Sequence, residues 1–212
     1  MRIDRRNHGS LSLGASSALL TFLLVVGASG AAAASTGTVV QEPQYGFSFA
    51  LPAGWQQVPL NGSDVTALLN IATHNDPSLT KALGSEVSSA PAKGMKVFAI
   101  GPATGSSAPN VNVIVASSAG APTGKNFAPA AIAEAKIEFT QVGASHIKSS
   151  IANNRLGRAA QVTYELNLNG LHEFGDQFYT QHNSHVEIIT VTTGSSASSA
   201  ADGRIVVNSW RW

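Results

Sequence analysis

The stretch Tyr45 to Val58, YGFSFALPAGWQQV, carries the clearest alternation in the chain. Tyr45, Phe47, Phe49 and Leu51 fall at period two with Gly46, Ser48 and Ala50 between them, which predicts a strand with one heavily apolar face. Pro52 and Gly54 then predict a tight turn, because proline presets its own φ and glycine tolerates a positive φ two residues later. Trp55 leads a second short strand and is placed to pack back over that turn.

Beyond this point the period changes to that of a helix. Val65, Leu68, Leu69 and Ala72 predict an amphipathic helix capped by Ser63 or Asp64. Asp76 followed by Pro77 opens a second one carrying Leu79, Ala82, Leu83 and Val87, closed by the linker Ser88 to Gly94. Lys96 to Ile100 and Asn110 to Ala116 are β-branched runs around the Gly-, Pro- and Ser-rich segment 101–109, which predicts a hairpin with a long loop and Val111, Val113 and Val115 on one side. A loop over Ser117 to Lys125 leads to the strongest helix, Phe127 to Val142, with Ala128, Ile132, Ala135, Phe139 and Val142 on one face and Gly143 as its stop.

The last third predicts a three-strand meander. A two-residue loop Asn169-Gly170 would set Val162, Tyr164 and Leu166 against Gln177, Gly175 and Glu173. A three-residue loop, Leu168-Asn169-Gly170, sets Tyr164 against Phe174 and Ala160 against Phe178, and apolar matching favours it. A turn at Asn183-Ser184 then pairs Phe178 with Ile189 and Tyr179 with Ile188. Apolar residues on both faces call for a sheet covered on both sides. The low-complexity segment Gly194 to Ser199 precedes a helix near Ala200 to Asn208, and Trp210-Arg211-Trp212 would anchor on the core or lie on the sheet edge.

The pattern F-x-apolar-P-x-G-W at Phe49 to Trp55, followed by this order of elements, resembles the PsbP-like family, which includes exported actinobacterial proteins of the LpqN type. The resemblance covers Tyr45 to Trp212 and rests on Tyr45 to Trp55 and on the meander. It implies a single-domain α/β/α sandwich, α/β (α+β) in class, with a mainly antiparallel sheet covered by helices on both faces. It also implies a non-enzymatic binding or accessory protein of the cell envelope, acting through protein or lipid contacts. A small apolar-ligand or glycolipid carrier is the alternative reading, and an unrecognised secreted hydrolase the second.

Composition narrows the classes further. At 212 residues and 43% apolar, the chain is long enough for one well-cored domain. The absence of cysteine excludes disulfides, thiolate chemistry and a lipobox, so the lipid anchor of related envelope proteins is not available. Met1 to Arg6 is a basic n-region, Ala18 to Val26 an apolar core and Ala32-Ala33-Ala34 a small-residue cleavage site. Residues 1–34 therefore read as a signal peptide, 35–44 as a flexible tail and 45–212 as the domain. The expected location is secreted or envelope-associated, with membrane tethering by an uncleaved leader as the alternative. Taking Arg2, Arg5 and Arg6 from the 13 basic residues and Asp4 from the 12 acidic ones leaves 10 against 11, a body near −1 that gives no electrostatic case for nucleic acid.

Candidate chemistry is sparse, and neither a catalytic residue nor a cofactor is expected. His182 and His185 flank the Asn183-Ser184 turn, where cross-strand Cβ atoms lie about 5 Å apart. They are weak metal candidates, because zinc sites use three or four ligands. His172 and Asp176 share the face of His182, but His172, ten residues away, lies at the opposite end of the strand. There is no G-x-S-x-G elbow and no glycine-rich phosphate loop after a strand. Glu134 and Glu138, one turn apart, read as a solvated face. Tyr45, Trp55, Trp210 and Trp212 are the candidates for ligand or partner contact, set against the ordinary reading of aromatics as core plugs.

Overall fold

The computed structural model describes residues 37–60, 90–102, 109–168 and 171–212. The leader, the two helices expected over residues 63–87, most of the loop over 101–109 and the Asn169-Gly170 dipeptide lie outside the described residues.

Strands β1 (Val39–Glu42) and β2 (Phe47–Ala50) form an antiparallel ribbon. Seven more strands, β3 (Gln56–Gln57), β4 (Met95–Ile100), β5 (Asn110–Ser117), β6 (Ser145–Asn154), β7 (Gly157–Leu168), β8 (Leu171–His182) and β9 (His185–Thr193), make one sheet in the order β3-β4-β5-β9-β8-β7-β6. Every pairing is antiparallel. Helix α1 (Phe127–Gln141) packs on one face of the sheet, and α2 (Ser196–Ser209) with the ribbon packs on the other.

Two apolar clusters result, one on each side of the sheet, and they divide each strand by parity. On β5 the odd positions Val111, Val113 and Val115 join Phe47, Phe49, Val206 and Trp210, while Ile114 joins Phe98, Phe139 and Tyr164 on the α1 side. The expected α/β/α sandwich with a covered antiparallel sheet is what these residues build. Helix α1 ends as its sequence predicts. Gly143, at φ +79°, donates its N–H to the Thr140 carbonyl and Ala144 donates to Phe139, the paired bonds of a Schellman stop. Val142 lies off the apolar face and is 42% exposed.

Four expectations are corrected. First, Leu168 pairs directly with Leu171, so Tyr164 lies opposite Gly175 and Ala160 opposite Tyr179, the register that apolar matching disfavoured. Its physical reason is space, since a Cβ at Gly175 would run into the Tyr164 ring, which stacks on Phe139 at 3.9 Å. Second, part of the predicted tail is β1, where fully buried Val40 pairs with Phe49. Third, the meander has four strands, because Ser145–Asn154 forms β6 at the sheet edge. Fourth, α2 begins at Ser196, where the Ser195 hydroxyl accepts the Ser198 N–H at 3.1 Å. The Asn183-Ser184 turn, with Asn183 at φ +52°, holds the expected pairs Phe178–Ile189 and Tyr179–Ile188.

The observed register makes Gly175→Ala costly, by about 1–3 kcal/mol from overpacking alone. Urea unfolding checks this, and a near-neutral effect would mean that Tyr164 does not lie over Gly175.

Candidate functional site

The candidate contact residues gather around the turn between β8 and β9. Two-residue closure makes His182 and His185 direct cross-strand partners, and odd positions of β9 point to the α2 face. The C-terminal tail reaches them because Arg211 adds to the edge of β2. Ser48 N–H donates to the Arg211 carbonyl at 2.9 Å and Arg211 N–H to the Ser48 carbonyl at 2.8 Å. Strand alternation puts Trp210 and Trp212 on the same side of the tail with Arg211 on the other, so the two rings meet, Trp210 in the core and Trp212 at its rim.

Trp210 is 1% exposed and stacks on Phe47 at 4.7 Å and on Phe49 at 5.1 Å. Trp212 is 39% exposed, and its ring lies nearly parallel to His182 at 4.0 Å and edge-on to Trp210 at 5.6 Å. On the other side of the turn, His185 meets Tyr45 edge-on at 5.9 Å, and Tyr45 stacks on Phe47 at 6.5 Å. A bulge between Met95 and Val97 accompanies Lys96, whose Nζ sits 5.3 Å over the Tyr45 ring. The outcome is a continuous patch of Tyr45, His182, His185, Trp212 and Lys96, half open to solvent above and fastened to the core by Trp210.

Trp55 is not part of this patch. It is buried at the opposite end of β4, where a Cβ on Gly101 would crowd its ring. Among the described residues no group of three or more His, Asp or Glu side chains is arranged to hold a metal ion. His172 lies away from His182 and shares the Glu165 Oε2 atom, at 3.2 Å, with His146 at 3.0 Å.

Beneath the patch lies Glu187, fully buried on the same face as His185 and opposite both Val115 and Thr180. Neither of its carboxylate oxygens has a hydrogen-bond partner among the described residues. Burial pushes this acid up to about 7, and the nearby backbone N–H groups of Glu187 and His182, which close no full hydrogen bond to it, oppose that only in part.

The opposite face holds a band of polar residues that the sequence reading did not single out. Asn110 and Asn112 of β5 face Thr192 and Thr190 of β9, and Thr190 faces Gln177 of β8, all of them buried. Gln177 Nε2 donates to Thr190 Oγ1 at 2.7 Å, and the Tyr179 hydroxyl donates to Gln177 Oε1. Asn112 Nδ2, Thr192 Oγ1 and Glu173 Oε2 have no hydrogen-bond partner among the described residues. Burial raises Glu173 to about 7. The available signal was the alternation of Asn and Thr with valine in NVNV and TVT, a pattern that ordinarily marks a solvated face.

Other acids have structural surroundings. Asp176 is held through both oxygens by Gln161 Nε2, at 2.9 and 3.0 Å. Burial raises it to about 6 against the opposing influence of Gln161 and Arg204. Glu134 and Glu138 are half-buried rather than on the solvated face expected for them. Burial first and Glu134 second raise Glu138 to about 7.

No family model matches the chain, and no curated protein matches it. Among solved structures it is similar to cyanobacterial PsbP from Synechocystis, at 11% identity and TM-score 0.48 over 87% of this chain and 97% of that one. It is also similar to LpqN, involved in cell envelope biogenesis of Mycobacterium tuberculosis, at 11% identity and TM-score 0.45 over 82% and 83%. A third similar structure comes from Bacteroides thetaiotaomicron, at 11% identity and TM-score 0.47 over 84% of this chain, which spans only 48% of that chain's length.

Glu173 and Glu187 keep their protons in the fold up to about 7, whereas in the unfolded chain they ionise near 4.5. The folded state therefore binds more protons across that window. This stability is fully present below about 4.5 and is lost as pH rises through about 7, on the order of 3 kcal/mol for each acid. Denaturant unfolding at pH 5 and pH 8 checks the sign, and Glu187→Gln should flatten the slope; stability that rises with pH would contradict the burial of these acids. Truncation separates the two tail tryptophans. Trp210→Ala should cost about 3–5 kcal/mol and Trp212→Ala only about 0.5 kcal/mol, both measured by urea unfolding.

Proposed function

We propose that this chain is an exported, non-catalytic binding or accessory protein of the cell envelope, belonging with the PsbP-like proteins, and that the Tyr45, His182, His185 and Trp212 patch is its contact surface. The observation that carries the reading is the posture of Trp212. Its large aromatic ring is held flat on His182 and left 39% exposed, while nearby Trp210 is fully consumed by the core. Partly exposed, immobilised aromatics supply contact area with little ordering cost on binding, which is why tryptophan and tyrosine concentrate at binding hot spots. Export rests on the leader Met1 to Ala34, and the envelope role on the resemblance at Tyr45 to Trp55. LpqN, by its involvement in cell envelope biogenesis, is a protein of the kind meant.

A carrier is the second reading, favoured by the unpartnered Asn112, Thr192 and Glu173 atoms in the buried band. A polar headgroup would satisfy them.

Native mass spectrometry of the protein from culture supernatant and from the envelope fraction separates the readings. The accessory role predicts an envelope species bound to another protein without a small ligand, reduced about ten-fold by Trp212→Ala, as loss of a central aromatic contact would do. A retained small-molecule mass that survives Trp212→Ala would replace it with the carrier. Bare protein in both fractions would contradict both.

A further inference from the structure

We infer that the outer edge of β6 is an addition site for an extended acidic segment of another protein. β6 is the last strand of the seven-stranded sheet and pairs only with β7, so its outer backbone groups face away from any strand among the described residues. None of its ten residues is buried. An edge of this length whose outer N–H and C=O groups meet no strand among the described residues is a template for strand addition, and proteins ordinarily blunt such edges with charge, proline or a bulge.

Here the blunting is confined to the ends. A bulge between Ser145 and Lys148 disrupts the start of β6, with His146 at φ +50° and its Nδ1 3.0 Å from Glu165. From Ser149 to Asn154 the register with β7 is regular, and the sequence SSIANN holds neither charge nor proline. Ile151, in the middle of this run, is 38% exposed. The open part of the edge is thus six residues long, about the length of an average strand, roughly 20 Å.

Charge selects the partner. Ser145 to Arg158 contains Lys148, Arg155 and Arg158, all exposed, and no acidic residue, although the body of the chain is slightly acidic overall. Lys148 stands at one end of the open run, and Arg155, in the turn that follows β6, and Arg158 stand at the other, about 20 Å away across six residues of strand. A segment with carboxylates at both ends and uncharged β-formers between them meets both cationic ends while its backbone completes the ladder. A second copy of this chain brings the same cations and fits less well. The site lies beyond β7 from the aromatic patch, so its success or failure is independent of the function proposed for that patch.

The test uses the mature protein and a blocked heptapeptide with glutamate at both ends and alternating valine and threonine between, followed by backbone NMR and amide exchange. The inference predicts shift changes and slowed exchange confined to Ser149 to Asn154, weakening with salt. It predicts about ten-fold weaker binding in Lys148→Glu/Arg155→Glu, both exposed sites where the fold is retained. Ala152→Pro should abolish binding, with circular dichroism verifying its fold; should that variant unfold, the charge-reversal variant decides alone. Equal binding of a lysine-ended heptapeptide, shifts centred elsewhere, or self-association through β6 in ultracentrifugation would each overturn it.

Discussion

The first and last elements of the described fold are held together by one interaction, the packing of Trp210 against Phe47 and Phe49. A sheet with apolar residues on both faces must have both covered, since each exposed Val or Phe would cost about 1.5–3 kcal/mol of lost burial. Helix α1 takes one face, with Phe127, Ala131, Ala135 and Phe139 pointing inward. The other face is wider than α2 alone, and the ribbon β1–β2 completes the cover. That ribbon is only two strands of four residues, an arrangement too small to stand by itself in water. Trp210 stabilises it by filling the gap between its two phenylalanines and the end of α2, while the Ser48–Arg211 pairing fixes the direction in which the tail leaves.

The contact patch follows from that lock. Because Arg211 is in extended backbone beside β2, Trp212 emerges on the same side as Trp210, one step further out, and comes down on His182. Because the β8–β9 turn has two residues, His185 stands beside His182 and meets Tyr45, in the turn that leads into β2. Three segments distant in sequence are therefore brought to one place by pairings whose reason is burial. The cost is visible beneath, where Glu187 occupies an apolar face and holds its proton instead of a partner.

Much of this was legible in residue order. The alternation of Phe47 and Phe49, the helical spacing through Ala128, Ala135 and Phe139, and the Asn183-Ser184 turn are local statements, and each survives in the structure. The β7–β8 register was misjudged because matching apolar residues across strands ignores volume, and Gly175 opposite Tyr164 is a fit of ring to vacancy. β6 escaped because SHIKSSIANN is an edge strand with only Ile147 packed against the core, so alternation had little to report. β1 escaped because a single residue, Val40, carries its packing. Of the contact residues, Tyr45, Trp210 and Trp212 were named from their aromaticity alone. Which of them would be open could only follow from the tail's pairing, and the polar band was hidden because buried and solvated alternation look alike.

The most direct test of the Trp210 lock is native-state amide exchange at Ser48 and Arg211. If the C-terminal tail is a structural member of the sheet's cover, both N–H groups exchange only with global unfolding, at the rate of core strand β9. Exchange of Arg211 at the rate of a frayed terminus, with β9 still protected, would show that the tail is not what holds the ribbon and the patch in place.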